Sequence, residues 1–167
     1  SLRLPGAVWR TGRPEIWQLL LYGLLLFLFV RRPGKRAAPF FLLGMLLCLM
    51  PVRYRGMELV FLDVGQGDCC FVRTPEGTTF FIDGGSSDQR SVGEYRLEPF
   101  LDVRAEGRLD FALVSHVDAD HINGIGELIK AGRIGTLVLP RGREGQKGLA
   151  ALKEQAEQAG IPVCSLG

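Results

Sequence analysis

The sequence predicts a mixed α/β domain preceded by a pair of apolar helices. Three observations carry that reading. Two tandem uncharged runs fill the first third of the chain. Short segments rich in strand-forming residues follow as hairpins, and strand and helix patterns then alternate to the end. At 167 residues the chain has room for one ordinary domain and an appendage.

The two runs are Ile16 to Val30, apolar apart from Gln18, and Ala37 to Val52, and they account for most of the positive mean hydropathy of +0.15. Each is a little shorter than the roughly 20 residues that span a bilayer squarely. Two in tandem, joined by Arg31-Arg32-Pro33-Gly34-Lys35-Arg36, predict a transmembrane helical hairpin over about 16–30 and 37–52 within a membrane-associated segment, residues 1–56. Four cations in so short a connection place it in the cytoplasm by the positive-inside rule. The domain after Arg53 is then expected on the extracytoplasmic face, although Arg3, Arg10, Arg13, Arg53 and Arg55 make the flanks basic too. No small-residue cleavage pattern follows the first run, which argues against a signal peptide. The chain opens with Ser1, so further residues are expected upstream.

From Met57 the pattern changes. Met57 to Val64, Cys69 to Thr74 and Thr78 to Ile82 read as strands, the last two joined by a turn at Pro75-Glu76-Gly77. A polar stretch precedes a helix from about Gly93 to Ala105. Leu109 to Ser115 and Ile134 to Leu139 are predicted strands, with a helix from Ile122 to Lys130 between them. A final helix runs from about Lys147 to Ala159, ended by Gly160, and Ile161 to Ser165 starts another strand. The four cysteines show no CxxC spacing and read as packing residues. A net charge of +2 gives no overall basic field, so any case for nucleic acid must be local. Arg90, Arg96, Arg104 and Arg108 precede the metal-type motif and Arg133, Arg141, Arg143 and Lys147 follow it, but no aromatic residues interleave with them to stack bases.

His116-Val117-Asp118-Ala119-Asp120-His121 holds both histidines of the chain at a strand-to-helix turn. In α/β folds that is where loop atoms converge on a crevice. Residues two apart in extended chain face the same way, so His116 and Asp118 suit one ion, while Asp120 and His121 suit a second. Aspartates at helix starts also serve as caps. Two histidines bracketing two of them exceed what capping needs, and the run predicts a dinuclear hydrolytic metal centre. Asp63-Val64-Gly65-Gln66-Gly67-Asp68 and Asp83-Gly84-Gly85 are each, taken alone, tight turns with capping aspartates.

In sequence, FLDVGQGD, FIDGG and SHVDADHING together resemble the metallo-β-lactamase superfamily, and more narrowly the C-terminal domain of the ComEC family of DNA-uptake competence proteins. The resemblance covers Met57 to Gly167, with Ile16 to Val52 similar to the last channel helices. It implies the N-terminal half of a metallo-β-lactamase-like αββα sandwich in residues 57–167, truncated at its C-terminus. It also implies metal ligands at His116, Asp118, Asp120 and His121, with Asp120 beside the attacking water as the catalytic group. Asp63 and Asp83 would hold ligands in place. Aspartate at 118, where most of the superfamily has histidine, fits the ComEC family and moves metal preference from zinc toward manganese or magnesium. The implied cofactor is a pair of divalent ions, zinc or manganese. The implied substrate is a DNA strand degraded at a cell membrane as the other strand enters, with other competence proteins as partners. A membrane-anchored hydrolase of another substrate and a non-catalytic channel module with a vestigial metal site remain alternatives. No histidine follows His121, so this piece of chain is expected to bind metal poorly and to turn over little by itself.

Overall fold

The computed structural model describes residues 14–31, 38–50, 56–116, 118–143 and 146–166. These described residues fall into two compact units, one made of those before residue 55 together with Asp102–Glu106 and one made of the rest.

In the first unit, α1 (Ile16–Arg31) and α2 (Ala38–Cys48) lie together. Phe29 stacks on Phe41 with ring centroids 4.7 Å apart. The polar exception of the first run has a specific task. Gln18 is buried, and its Nε2 donates to Cys48 O at 3.0 Å and Met50 O at 2.9 Å. It thereby satisfies carbonyls that the end of α2 leaves without helical partners. Leu20, Leu24, Phe27, Phe40, Leu43 and Leu47 are exposed. Neither helix shows a polar stripe, but no described helix is long and apolar enough to cross a membrane. The basic connection expected to face the cytoplasm lies outside the described residues from 32 to 36.

The second unit is a six-stranded sheet in the order β1-β2-β3-β4-β5-β6. The strands are β1 (Glu58–Phe61), β2 (Cys70–Arg73), β3 (Thr79–Ile82), β4 (Leu109–Leu113), β5 (Ile134–Pro140) and β6 (Val163–Leu166). The first three pair antiparallel and β3 to β6 pair parallel, so β1 and every strand from β3 on run the same way. The carboxyl ends of β1, β3, β4 and β5 therefore share one end of the sheet.

Between β3 and β4 a π-helical turn, Gly93–Leu97, leads into α3 (Glu98–Val103). The sequence predicts one helix here and does not signal the wider first turn. α4 (Ala119–Lys130) joins β4 to β5, and α5 (Lys147–Gln158) joins β5 to β6. α4 begins three residues before the predicted Ile122, which puts Asp120 and His121 inside its first turn. It buries Ile125, Leu128 and Ile129, spaced as one helical face. They meet Phe71, Phe81, Leu109, Leu137 and Leu149 in a single core. Phe71 and Phe81 are direct cross-strand partners and pack edge to face, centroids 5.9 Å apart. α5 stops as predicted at Gly160, whose φ of 70° needs glycine, and Ile161 N–H closes on Ala156 O at 2.8 Å.

Candidate metal centre

Three loops meet at the carboxyl end of β3 and β4, and backbone hydrogen bonds lace them together. After β3, Asp83 adopts φ 56°, a left-handed conformation that aspartate tolerates better than most side chains. Its N–H still extends the ladder to Leu113 O at 2.8 Å. The turn sends Gly84 against the start of α4, where Gly84 N–H donates to His121 O at 2.9 Å and Ile125 N–H to Gly84 O at 3.1 Å. From the loop after β1, Asp68 N–H reaches Asp120 O at 3.3 Å. Gly67 makes that approach feasible, because a Cβ there would collide with Gly85 O and lie 2.6 Å from Asp120 O. Here glycine serves close backbone contact.

The interlacing brings side chains from distant segments to one place. His121 is buried and lies between carboxylates. Its Nδ1 is 3.3 Å from Asp83 Oδ2, and its Nε2 is 3.5 Å from Asp120 Oδ2 and 3.9 Å from Asp68 Oδ2. The rings of His116 and His121 approach to 3.6 Å between centroids, inclined by 47°. His116 Nε2 is 3.7 Å from Asp118 Oδ2, and its Nδ1 is 2.6 Å from Ser115 Oγ. Ser115 in turn donates from its N–H to Asp83 Oδ1 at 2.8 Å and from Oγ to Asp83 Oδ2 at 2.6 Å.

Asp118 precedes α4 in an extended conformation yet its side chain makes no capping bond, so its carboxylate is not committed to the helix end. It stands 70% exposed beside His116. Asp63 is exposed and accepts the Gly65 N–H at 3.3 Å, which closes the turn that carries Asp68. Two residues to which the sequence pattern assigns no site role stand beside the histidines. Asp68 faces His121, and Ser115 bridges Asp83 and His116. Only the strand order, which brings the β1–β2 loop to the start of α4, reveals the first. A short hydroxyl beside a histidine was the available signal for the second.

One ligand-capable atom from each of Asp83, His116 and His121 falls within 4.8 Å of the others. His121 Nδ1 is also buried and has no aligned hydrogen-bond partner. Imidazole nitrogens and carboxylate oxygens gathered this way fit a divalent cation such as zinc or manganese.

A mixed sheet with a histidine–aspartate cluster at its strand ends defines an α/β domain with a candidate divalent-metal site. Residues 62–158, more than half of the chain, match the model of the metallo-beta-lactamase superfamily, and the chain belongs to that superfamily. It is also similar to ComE operon protein 3 of Bacillus subtilis (strain 168), 28% identical over 131 residues. That match covers 71% of this chain and 17% of the relative, so the chain spans a small part of that protein's length. Among solved structures, CmlA, a diiron beta-hydroxylase from Streptomyces venezuelae, aligns with a TM-score of 0.43 at 24% identity, over 85% of this chain and 26% of that one.

Proposed function

We propose that this chain is part of a membrane DNA-uptake protein of the competence type, and that its metallo-β-lactamase-like domain hydrolyses phosphodiester bonds of incoming DNA. The observation that carries the reading is the meeting of His116 and His121 over the buried Asp83 at one end of the sheet, with Asp118 beside the first histidine and Asp120 beside the second. The similarity to a ComE operon protein supports the setting.

In this reading His116 and Asp118 hold one divalent ion, zinc or manganese, and Asp120 and His121 the other, with further ligands from chain beyond this segment. Bound ions would supply Lewis acidity toward an attacking water and toward a phosphodiester. The protein's own groups do the rest. Asp120, partly exposed at the start of α4, orients the water and accepts its proton. Asp83, with both oxygens bonded by Ser115, positions ligands and does not react. Asp63 closes the turn that carries Asp68 to the rim.

The exposed apolar sides of α1 and α2 suit a lipid environment better than water. We place this segment at the cell membrane, in a multi-pass protein, with the catalytic domain on the extracytoplasmic face and one DNA strand and other competence proteins as its partners. The test is substitution of His116 and of Asp120 by alanine in the full-length protein. Degradation of the non-imported strand and uptake should both fall steeply, and unchanged degradation would exclude the hydrolase reading.

A further inference from the structure

The Ser115 side chain stands between two groups that compete for a single proton. Its Oγ is 2.6 Å from Asp83 Oδ2 and 2.6 Å from His116 Nδ1. A serine hydroxyl carries one hydrogen, and a carboxylate only accepts. An oxygen pair this close is stable when a proton lies between them as O–H···O⁻. That proton is therefore the Ser115 hydroxyl hydrogen, and it points at Asp83. The oxygen then has only lone pairs to offer His116. We infer that Ser115 is a positioning residue that fixes neutral His116 as its Nδ1–H tautomer, leaving the Nε2 lone pair on the side of Asp118.

Two further features make the relay directional. The Ser115 N–H donates to Asp83 Oδ1 at 2.8 Å, so the same residue is bonded to both carboxylate oxygens and its hydroxyl has little freedom to swing. Asp83 is itself buried and anchored through its N–H to Leu113 O. The partner of one ring nitrogen decides which face of an imidazole is available as a ligand, and here that partner is a serine backed by a buried carboxylate. His121 lacks such an arrangement, because its Nδ1 faces Asp83 without an aligned hydrogen bond. The inference deepens the metal-site reading, since it says which His116 nitrogen that site would use. It rests on that reading for its purpose but not for its measurement.

The test is ¹⁵N NMR of the histidine rings in the full chain, held in detergent micelles with chelator and no added metal, at about two pH units above the ordinary histidine pKa of about 6.5. The expected spectrum has His116 Nδ1 pyrrole-like and Nε2 pyridine-like. Ser115→Ala should move His116 to the Nε2–H form favoured by an uncontacted imidazole and leave the His121 signals in place. Ser115→Thr, which keeps the hydroxyl, should restore the wild-type pattern. A wild-type His116 protonated on Nε2, or a tautomer unchanged in Ser115→Ala, would overturn the inference. If Ser115→Ala does not fold, the wild-type and Ser115→Thr spectra still decide. The expected pattern in a protein that binds no metal would uphold the relay while sinking the hydrolase reading.

Discussion

His121 Nδ1 lies 3.3 Å from Asp83 Oδ2, and both side chains are more than nine-tenths buried. The contact joins the first turn of α4 to the end of β3, two segments 38 residues apart in sequence by the difference of their numbers. Asp83→Asn isolates what the charge does, because asparagine tolerates φ 56° as aspartate does. The amide returns only part of the bonding to Ser115, so unfolding stability should fall by about 1–3 kcal/mol. In the full-length protein, affinity for manganese or zinc should fall about 10–100-fold. Urea denaturation and calorimetric titration read the two effects separately. Unchanged values in both would mean that the carboxylate positions nothing.

Gly67→Ala probes the interlacing of the loops without touching a charged group. The added methyl meets backbone oxygens of Gly85 and Asp120, and neither can rotate away as a side-chain tip would. Overpacking of this kind costs typically about 1–3 kcal/mol. The expected result is a lower thermal midpoint together with weaker protection of the Asp68 and Gly84 amides from hydrogen exchange. A lower midpoint with both amides still protected would locate the strain elsewhere.

The cysteines should divide by burial. Burial pushes the Cys69 thiol up, with the neighbouring Cys70 and Asp83 adding to the shift, and burial also raises Cys70. Only the thiolate is an efficient nucleophile. Cys164 is exposed on β6, so at about pH 8 it should be alkylated by iodoacetamide well before Cys69 and Cys70. Peptide mass spectrometry after timed quenching orders the sites. Rapid labelling of Cys69 in the folded chain would contradict its place in the core.

Much of the fold was legible because the signals were local. The Pro75-Glu76-Gly77 turn, the apolar face of α4 and the Gly160 stop each lie within a few residues of what they control. The early start of α4 was not, because Ala119-Asp120-His121 carries no apolar periodicity and Asp118 does not cap with its side chain. The site was half legible. Its histidines and two of its aspartates stand in one run, whereas Asp68 and Ser115 acquire roles only when parallel pairing sets β3 beside β4. Gln18 is the same lesson in the first unit, since its carbonyl partners lie 30 and 32 residues away.

Acid should loosen the loop beside the site through Asp88. Its carboxylate accepts the Gln66 N–H and the Ser86 hydroxyl, each at 2.8 Å, and those bonds hold its pKa below the ordinary aspartate value, the Gln66 bond first. A carboxyl lowered in the folded chain contributes stability that is fully present above the unfolded value, about 3.9. The contribution drains away as pH falls through the lower folded value. The tie between the β1–β2 loop and residues 86–89 should therefore persist unchanged from neutral pH down to about 4 and fail below it. The Gln66 amide resonance reports this directly, shifting with acid only in that lower range. Asp88→Asn supplies the comparison, because an amide cannot lose its bonds by protonation there. If the Gln66 amide moves with pH alike in both proteins, the acid-sensitive group is not Asp88, and the coupling of the two loops rests instead on the bonds that Ser87 donates from its N–H and Oγ to Gln66 O.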